Sequence, residues 1–477
     1  MSTRTLAFVL ATLGSLACSS DAASTAPVAT GILIVAGAGV DDTIQARPLQ
    51  ALVVEVRSGG RTKPGVVVRF ATLPAQDTTR RFESTVVTSP VGRDLFSAVS
   101  TDTTDASGRA SVLVRLGTVA GEARLLMTAK ELGLTDTARF TVRPGLPAKV
   151  VIAAQDEEVS YGGRYDIGAA AGDRFGNRRS DAVTFTSLSA LATVDATGGV
   201  QAGQETGQGR IVVNSGSFVD TARFTVIPRV SLSFLYPRDD GTWIGEGALD
   251  GSSIRPRIAS ASPGYPSPSP TSASIVFQRP SGAYYKIFVV DSAGAERDLL
   301  QGAAFISAYY PRYSADGTYV YFSGRDSTGY AVWRVHPDGS GLERIVTTIS
   351  DIASPSSSPD GSRVVYADYD SLYVLTLATG ARVSIGPPAD FPVFSPDGRR
   401  LAYFNNAGIA VANSDGTATR TLSLPRILKS DAGLAWLPDS KWLITRDWYS
   451  PILVNASTGE SFALRKIGYS YQIAVKP

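Results

Sequence analysis

Apolar and polar residues alternate along long stretches of this chain, which is the period-two pattern of half-buried β-strands. Residues 136–142 read DTARFTV, and the same seven residues return at 220–226, which places the two copies 84 residues apart. A proline follows each copy, at Pro144 and at Pro228, and a proline ends the hydrogen-bond ladder of a strand. Each copy is therefore predicted to be the last strand of a small β-sandwich. No amphipathic helical stretch follows residue 20, so the prediction for the whole chain is all-β.

The second half of the chain repeats two turn motifs out of phase, with a period of about forty residues. The first motif ends in the glycines Gly251, Gly294, Gly339, Gly380, Gly416 and Gly459. The second motif reads SADG at 314–317, SPDG at 358–361 and 395–398, and LPDS at 437–440, with a degenerate copy, SPTS, at 269–272. An apolar strand follows each copy of the second motif, and another precedes each glycine of the first. A repeat of this length with four strands in each period predicts a β-propeller.

The chain end supplies the repeat that is missing from the second motif. Six glycine turns are present, but only five turns of the second class lie between residues 269 and 440. Residues 473–477 (IAVKP) match residues 434–438 (LAWLP) one repeat earlier. The last strand is therefore predicted to join the first blade, formed by residues 231–258, and to close a six-bladed propeller. Such closure removes two exposed sheet edges.

Two resemblances follow from these motifs. The pattern of residues 230–477 resembles the propeller of TolB and of similar WD-repeat-like periplasmic proteins, which implies a partner in the periplasm. The sequences PGVVVRF (64–70), TDASGRA (104–110) and DRFGN (173–177) resemble bacterial Ig-like repeats of the invasin and intimin type. Such modules are usually stiff spacers. The predicted domains are residues 31–144 and 145–228, both Ig-like, and the propeller at 229–477. TolB carries a different N-terminal domain, so its role in translocation is not carried over.

The N-terminus has the pattern of an export signal. Arg4 supplies a positive charge, and residues 6–16 (LAFVLATLGSL) form a short apolar core. Cys18, the only cysteine, follows in a sequence that resembles a bacterial lipobox, although Ser15 occupies the position where that family prefers leucine. We expect residues 1–18 to be a signal peptide, Cys18 to be lipidated and residues 19–30 to be a tether. The alternative is an ordinary signal peptide that is cut near Ala22 or Ala23. Either way the chain is predicted to be exported to the bacterial cell envelope, as an outer-membrane lipoprotein that faces the periplasm or the cell surface.

Composition excludes several classes of function. The net charge is +2, only 18% of residues are charged, and no basic run occurs, so nothing indicates nucleic acid. One cysteine and one histidine cannot form a zinc cage or a thiol pair. The histidine, His336, lies at a predicted turn, and no Gly-x-Ser-x-Gly nucleophile elbow is present. We expect no cofactor, no metal and no enzymatic activity.

Polar and aromatic residues cluster just after the strand that follows the second motif in each repeat. We expect the propeller to gather these residues around one mouth of its channel, where they would suit a peptide or a sugar. Alternatively, they are polar only because loops face water. The candidates are Asp240, Trp243, Arg325, Asp326, Asp368, Tyr369, Asp370, Asn405, Asn406, Arg446, Asp447, Trp448 and Tyr449.

The aspartates of the second motif are interpreted as structural, because Asp accepts hydrogen bonds from nearby backbone N–H groups in such turns. They are Asp316, Asp360, Asp397 and Asp439. The leading hypothesis is a non-enzymatic envelope lipoprotein whose propeller binds a protein or peptide, with the Ig-like domains as spacers and the membrane reached only through the N-terminal lipid. The alternative is a surface adhesin or glycan-binding protein. A polysaccharide-active enzyme, which needs a carboxylate pair at suitable spacing, is the third hypothesis.

Overall fold

The computed structural model describes residues 30–75, 86–238, 241–259, 262–349, 354–424, 433–447, 450–468 and 470–476, and these residues are almost entirely β-strand. The predictions for Cys18, Asp240, Trp448 and Tyr449 lie outside the described residues. Within the described residues, no helix is both long enough and apolar enough to cross a membrane.

The chain divides into two compact units. The first holds the described residues up to Val151 together with Ala170–Val183 and Ser215–Val219. The second holds Ile152–Ala169, Thr184–Asn214 and the described residues from Asp220 onward.

Up to residue 227, the described residues form one short 3-10 helix, at Lys130–Leu132, and a series of strands. They are β1 (Gly31–Ala36), β2 (Asp41–Thr43), β3 (Leu52–Ser58), β4 (Arg61–Thr62), β5 (Val67–Thr72), β6 (Val86–Pro90), β7 (Val99–Thr103), β8 (Arg109–Leu116), β9 (Gly121–Ala129), β10 (Leu134–Arg143), β11 (Pro147–Val151), β12 (Asp156–Ser160), β13 (Arg164–Asp166), β14 (Ala170–Asp173), β15 (Thr184–Ser187), β16 (Ala192–Val194), β17 (Gly199–Ala202), β18 (Gly207–Ser215) and β19 (Phe218–Ile227).

Two sheets of the first unit share one apolar core. Their strand orders are β1-β3-β8-β6, with β4 beside β3, and β2-β10-β9-β5-β7. Leu52 and Val112 on one sheet and Phe70, Leu125 and Phe140 on the other are buried in that core. The alternation of the DTARFTV sequence in β10 explains its position, because its alanine, phenylalanine and valine face inward and its polar residues face out.

The strands from residue 231 onward are the following. They are β20 (Ser231–Arg238), β21 (Gly241–Ala248), β22 (Arg255–Ala259), β23 (Gly264–Pro268), β24 (Ile275–Ser281), β25 (Tyr284–Val290), β26 (Glu296–Asp298), β27 (Ser307–Tyr313), β28 (Val320–Asp326), β29 (Gly329–Val335), β30 (Glu343–Thr348), β31 (Ser356–Ser357), β32 (Arg363–Ala367), β33 (Leu372–Thr376), β34 (Ala381–Gly386), β35 (Asp390–Phe394), β36 (Arg400–Asn405), β37 (Gly408–Asn413), β38 (Arg420–Thr421), β39 (Ala435–Trp436), β40 (Trp442–Arg446), β41 (Pro451–Asn455), β42 (Ser461–Ala463) and β43 (Tyr471–Val475).

These strands form six antiparallel sheets of four strands each. The first sheet has the order β22-β21-β20-β43, and the second to sixth sheets are β23–β26, β27–β30, β31–β34, β35–β38 and β39–β42. Buried apolar clusters join each sheet to the next, from the first and second to the fifth and sixth. A further cluster joins the sixth sheet back to the first, with Phe234 and Leu232 of β20 against Leu453 of β41. The six sheets therefore pack in a cycle.

The C-terminal strand pairs with the first sheet, as the repeat count predicts. In β43, Val475 lies opposite Leu232 and Ala474 opposite Ser233, in antiparallel register. The ten strands predicted on either side of the two turn motifs are also confirmed, as β24, β28, β32, β36 and β40 and as β25, β29, β33, β37 and β41.

The second turn motif is held by its aspartates, which confirms their structural interpretation. Asp316 accepts hydrogen bonds from the hydroxyl of Ser314 at 2.6 Å and from the N–H of Thr318 at 3.0 Å. The same arrangement recurs at Asp360 and Asp397, whereas Asp439 accepts the N–H of Lys441 at 2.8 Å and has a leucine where the other turns have the serine donor. The fourth residue of the turn has a positive φ in the four copies that contain the aspartate, and Ser440 adopts one of 56° where the other three have glycine.

Strand β12 of the second unit is tied to the segment that follows β42. The Glu158 carboxylate, which is buried, accepts the N–H groups of Arg465 at 2.5 Å and Lys466 at 3.2 Å. The Lys466 ammonium donates to the Glu158 carbonyl at 2.5 Å, and the Ser160 hydroxyl donates to Asp250 at 2.5 Å. These bonds satisfy backbone groups of a loop that no strand partner covers.

Candidate functional site

The residues predicted to bind a ligand lie mostly at the turns between the second and third strands of the six sheets. Arg325 and Asp326 end β28, and Asn405 with Asn406 connects β36 to β37. Asp368, Tyr369 and Asp370 connect β32 to β33, Arg446 and Asp447 lie at the end of β40, and Trp243 lies within β21. None of these described residues lines the cavity presented below.

Several of these polar side chains hold their own turns. Asp326 accepts the N–H and the hydroxyl of Thr328, both at 2.7 Å, and pairs with Arg344 at 3.1 Å. The hydrogen bond from the Thr328 hydroxyl and the nearby Arg344 charge keep the pKa of Asp326 below its ordinary value. Asp368 is buried and accepts the N–H of Ile349 at 2.9 Å. Such contacts are those of turn-forming aspartates.

The other candidates described here also contact neighbouring residues or are exposed to solvent. Asp447 accepts the N–H of Ser450 at 2.8 Å, and Asn405 accepts the N–H of Ala407 at 2.9 Å. The Arg325 guanidinium lies 5.2 Å from the ring centre of Tyr330. Tyr369 is 73% exposed, which makes it the most accessible aromatic ring among the described residues of this set.

A cavity of about 290 Å³ lies where one strand from each of the six sheets converges. These strands, which we call the cavity strands, are β23, β27, β31, β35, β39 and β43. Each is the edge strand of its sheet and precedes a copy of the second turn motif or, in β43, the chain end. The sequence does not predict this cavity, because the polar and aromatic residues typical of a binding site lie in the loops after the following strand.

The cavity strands share an unusual backbone feature. Four residues before the first position of the turn motif, the backbone adopts a positive φ in every strand. The residues are Tyr265 (48°), Tyr310 (53°), Ser354 (20°), Phe391 (51°), Gly433 (78°) and Gln472 (50°). The ladder register shifts at the same place in β23, β27 and β35, which marks a β-bulge that re-aims the side chain. Left-handed conformation at a non-glycine residue costs about 1 kcal/mol or more and concentrates at functional sites.

Three of these side chains form an aromatic cluster inside the cavity. The Tyr265 and Phe391 rings are stacked with centroids 5.6 Å apart, although their strands belong to the second and fifth sheets, which face each other in a cycle of six. Tyr310 meets both rings edge-on, at 4.7 Å from Tyr265 and 5.8 Å from Phe391. Rings in contact across the cycle close the cavity at this level.

Glutamine side chains satisfy the backbone at two of the bulges. Gln472 accepts the N–H of Tyr265 at 2.6 Å, and the buried Gln278 accepts the N–H of Tyr310 at 2.8 Å. An unpaired N–H at these positions would be costly, so the two amides stabilise the bulges that present the rings.

Turn residues line the opposite end of the cavity. They occupy the second position of the turn motif and are Ala315, Pro359, Pro396 and Pro438. One cation stands between them and the aromatic cluster. This is Arg312, two residues after Tyr310 on β27, and it is the only charged residue among the described residues that line the cavity.

The histidine and the acidic residues provide no further site. The His336 ring nitrogen Nδ1 lies 3.0 Å from the Thr318 carbonyl, and the ring stacks on Tyr319 at 4.6 Å. Across the described ranges, no group of three or more His, Cys, Asp or Glu side chains is placed to hold a metal ion.

Comparison with known proteins adds a short similarity to TolB. No family model matches the chain. The protein TolB homolog of Chlorobaculum tepidum is 28% identical over 120 residues, which cover 23% of this chain and 28% of that protein. The uncharacterized protein Atu1656 of Agrobacterium fabrum is 34% identical over 88 residues, which cover 18% of this chain and 29% of that protein.

The chain thus spans less than a third of the length of these two relatives. Among solved structures, TolB from Acinetobacter baumannii aligns with a TM-score of 0.45 at 12% identity, over 69% of this chain and 99% of that one. The sequence similarity supports a TolB-like β-propeller within the all-β chain.

Proposed function

We propose that residues 231–476 form a closed six-bladed β-propeller that serves as the binding domain of a non-enzymatic cell-envelope protein. The cyclic order of the apolar clusters and the pairing of β43 with β20 support closure. The resemblance to TolB supports the envelope location.

The rest of the chain fits this proposal as an anchor and spacer. Residues 31–144 and 145–228 are proposed to be Ig-like spacer domains, and Cys18 to be the lipidated residue of an exported outer-membrane lipoprotein. The repeated DTARFTV strand and the two-sheet core around Phe70 and Phe140 support a sandwich at residues 31–144. Such spacers would hold the propeller away from the membrane.

The proposed ligand is a protein or peptide segment that enters the cavity. The single observation that carries this proposal is that strands of all six sheets line one shared cavity beside a residue of positive φ, that five of these residues are not glycine, and that three of them present aromatic rings there. Aromatic and proline rings with few polar groups are what a peptide-binding pocket offers.

Site-specific photo-crosslinking in cells that make the protein tests the proposal. A benzophenone amino acid is placed at Ala315, which is exposed at the turn end of the cavity, and in a second variant at Tyr369, the exposed ring among the loop candidates. The control is Val383, which is 60% exposed on β34.

We expect crosslinks to a defined polypeptide from Ala315 and not from Val383. Crosslinks to polypeptide from Tyr369 alone would show that the loop residues, and not the cavity, bind the partner. Carbohydrate adducts would favour an adhesin, and no specific adduct from either position would refute a binding role for both surfaces.

A further inference from the structure

Arg312 is a lone cation in an otherwise uncharged cavity. Within the described part of the chain, its guanidinium has no hydrogen-bond or ion-pair partner, and no carboxylate lines the cavity. Burial lowers the pKa of Arg312 to about 10, so the group still carries its charge at neutral pH. Arg312 is half-buried, and removing a cation from part of its water without supplying a partner is unfavourable, so this arginine is prepared for an anion that comes from outside.

The fold itself does not require an arginine at this position. The five equivalent residues of the other cavity strands, two places after the residue with positive φ, are small and uncharged. They are Ser267, Ser356, Val393, Ala435 and Ala474. Arg312 therefore departs from a position that the other five sheets fill with compact neutral side chains.

The charge balance favours a carboxylate over a phosphate. One guanidinium neutralises one negative charge, whereas a phosphate monoester carries between one and two negative charges at neutral pH. The planar fork of arginine also matches a carboxylate with two parallel hydrogen bonds. Proline and aromatic rings line the cavity together with Arg312, and apolar surroundings strengthen such a pair.

The shape of the cavity favours the end of a chain over a passing loop. Contact between Tyr265 and Phe391 bars one end, and the turn residues Ala315 and Pro359 line the other. A segment that enters past the turns reaches Arg312 before it meets the aromatic cluster. Only a chain terminus fits such a one-ended space without having to turn back.

We infer that the cavity receives the C-terminal carboxylate of a peptide, which Arg312 binds through a bidentate salt bridge below the Tyr265, Tyr310 and Phe391 rings. This inference rests on the proposed peptide-binding function and specifies its chemistry. Arg312 acts as the anion-binding residue, and the aromatic cluster acts as the stop that sets the depth of the terminus.

A peptide array tests the inference with the full chain. Randomised hexapeptides are attached through their N-termini in two matched formats, one with a free C-terminal carboxylate and one with a C-terminal amide. The wild type is compared with Arg312→Gln, Arg312→Lys and the control Arg69→Gln, which changes an exposed arginine on β5. Circular dichroism of each variant confirms folding.

We expect free carboxylates to bind at least about tenfold more tightly than amides, since a charge-assisted pair is worth more than one decade in affinity. Arg312→Gln should abolish this preference, Arg312→Lys should retain part of it, and Arg69→Gln should leave it unchanged. Equal binding of both formats, or equal binding by amidated peptides with acidic side chains, overturns the terminal-carboxylate inference while peptide binding stands. Binding of neither format overturns the proposed function as well.

Discussion

Replacing Arg312 with glutamine is expected to stabilise the unliganded protein while it removes carboxylate binding. The guanidinium loses hydration without gaining a partner among the described residues, and glutamine carries no charge that would suffer this loss. Burial lowers the pKa of Arg312 from the ordinary arginine value to about 10. At about 1.36 kcal/mol for each pKa unit, this difference corresponds to a penalty of at most about 3 kcal/mol.

The sign of the effect follows from the protonated form being the disfavoured one. The penalty is complete at every pH below the folded pKa of about 10, and it is relieved only as pH rises from there toward the unfolded value. At pH 7 it is therefore present in full. Water in a cavity of this size solvates part of the charge, so the expected gain is about 1–3 kcal/mol, which corresponds to a rise in Tm of about 2–6 °C for a unit of this length.

Tryptophan fluorescence is the suitable assay, because all five tryptophans lie between residues 243 and 448 and report on the six-sheet region alone. Thermal unfolding at pH 7 compares the wild type with Arg312→Gln, and with Arg312→Met, which keeps more of the apolar stem. The control Arg399→Gln, which changes an exposed arginine of the same six-sheet region, should change Tm by less than about 1 °C. A lower Tm in both Arg312 variants would refute the reasoning, because it would show that the guanidinium has stabilising partners in the folded state.

Three further changes test the scaffold by the same fluorescence assay. Gly416→Ala should lower Tm by several degrees more than Gly380→Ala, since both glycines have positive φ but only at Gly416 would a Cβ lie 2.4 Å from an isoleucine on β34. Asp360→Asn should destabilise the protein at pH 7, and urea unfolding should show the deficit shrinking between about pH 4 and 2, because hydrogen bonds, first that of the neighbouring serine hydroxyl, hold the pKa of Asp360 at about 2. Glu158→Ala should cost about 1–3 kcal/mol by leaving two backbone N–H groups unpaired, whereas Glu157→Ala removes only a salt bridge at 3.3 Å and should cost less than about 1 kcal/mol.

The scaffold was predictable because its determinants are local and repeated. The aspartate and glycine of the second motif fix a turn by bonds within four or five residues, as Asp316 does with Ser314 and Thr318. The strand after each turn then alternates or runs apolar, which marks it without reference to the rest of the chain. The C-terminal strand is less local, yet counting turns placed it beside β20, and the pairing of Val475 with Leu232 confirms that placement.

The cavity was not predictable by the same rules, because its residues violate them. Tyrosine and phenylalanine rarely adopt positive φ, so nothing in the local sequence of Tyr265 or Phe391 announces a bulge. Their contact joins strands more than 120 residues apart, and only the cyclic packing of six sheets brings them together. Loop residues such as Asp326 are polar and follow a strand, which is typical of a binding site. In the structure, however, the Asp326 carboxylate accepts hydrogen bonds within its own turn.

Aligning the repeats on their turns does, however, separate the two kinds of position. Four residues before the turn the backbone conformation is constant while the side chain changes from aromatic to serine, glycine and glutamine. A requirement of the fold would act on all six sheets alike, so constancy identifies what closure needs and variation identifies what closure leaves free. Arg312 occupies a position that the other five sheets fill with neutral residues, and its charge is expected to lower the stability of the unliganded protein. Since folding does not require Arg312 and its unpaired charge is unfavourable, we attribute its presence to the ligand that it binds. Arg312→Gln should therefore both raise the stability of the unliganded protein and remove the preference for free carboxylates.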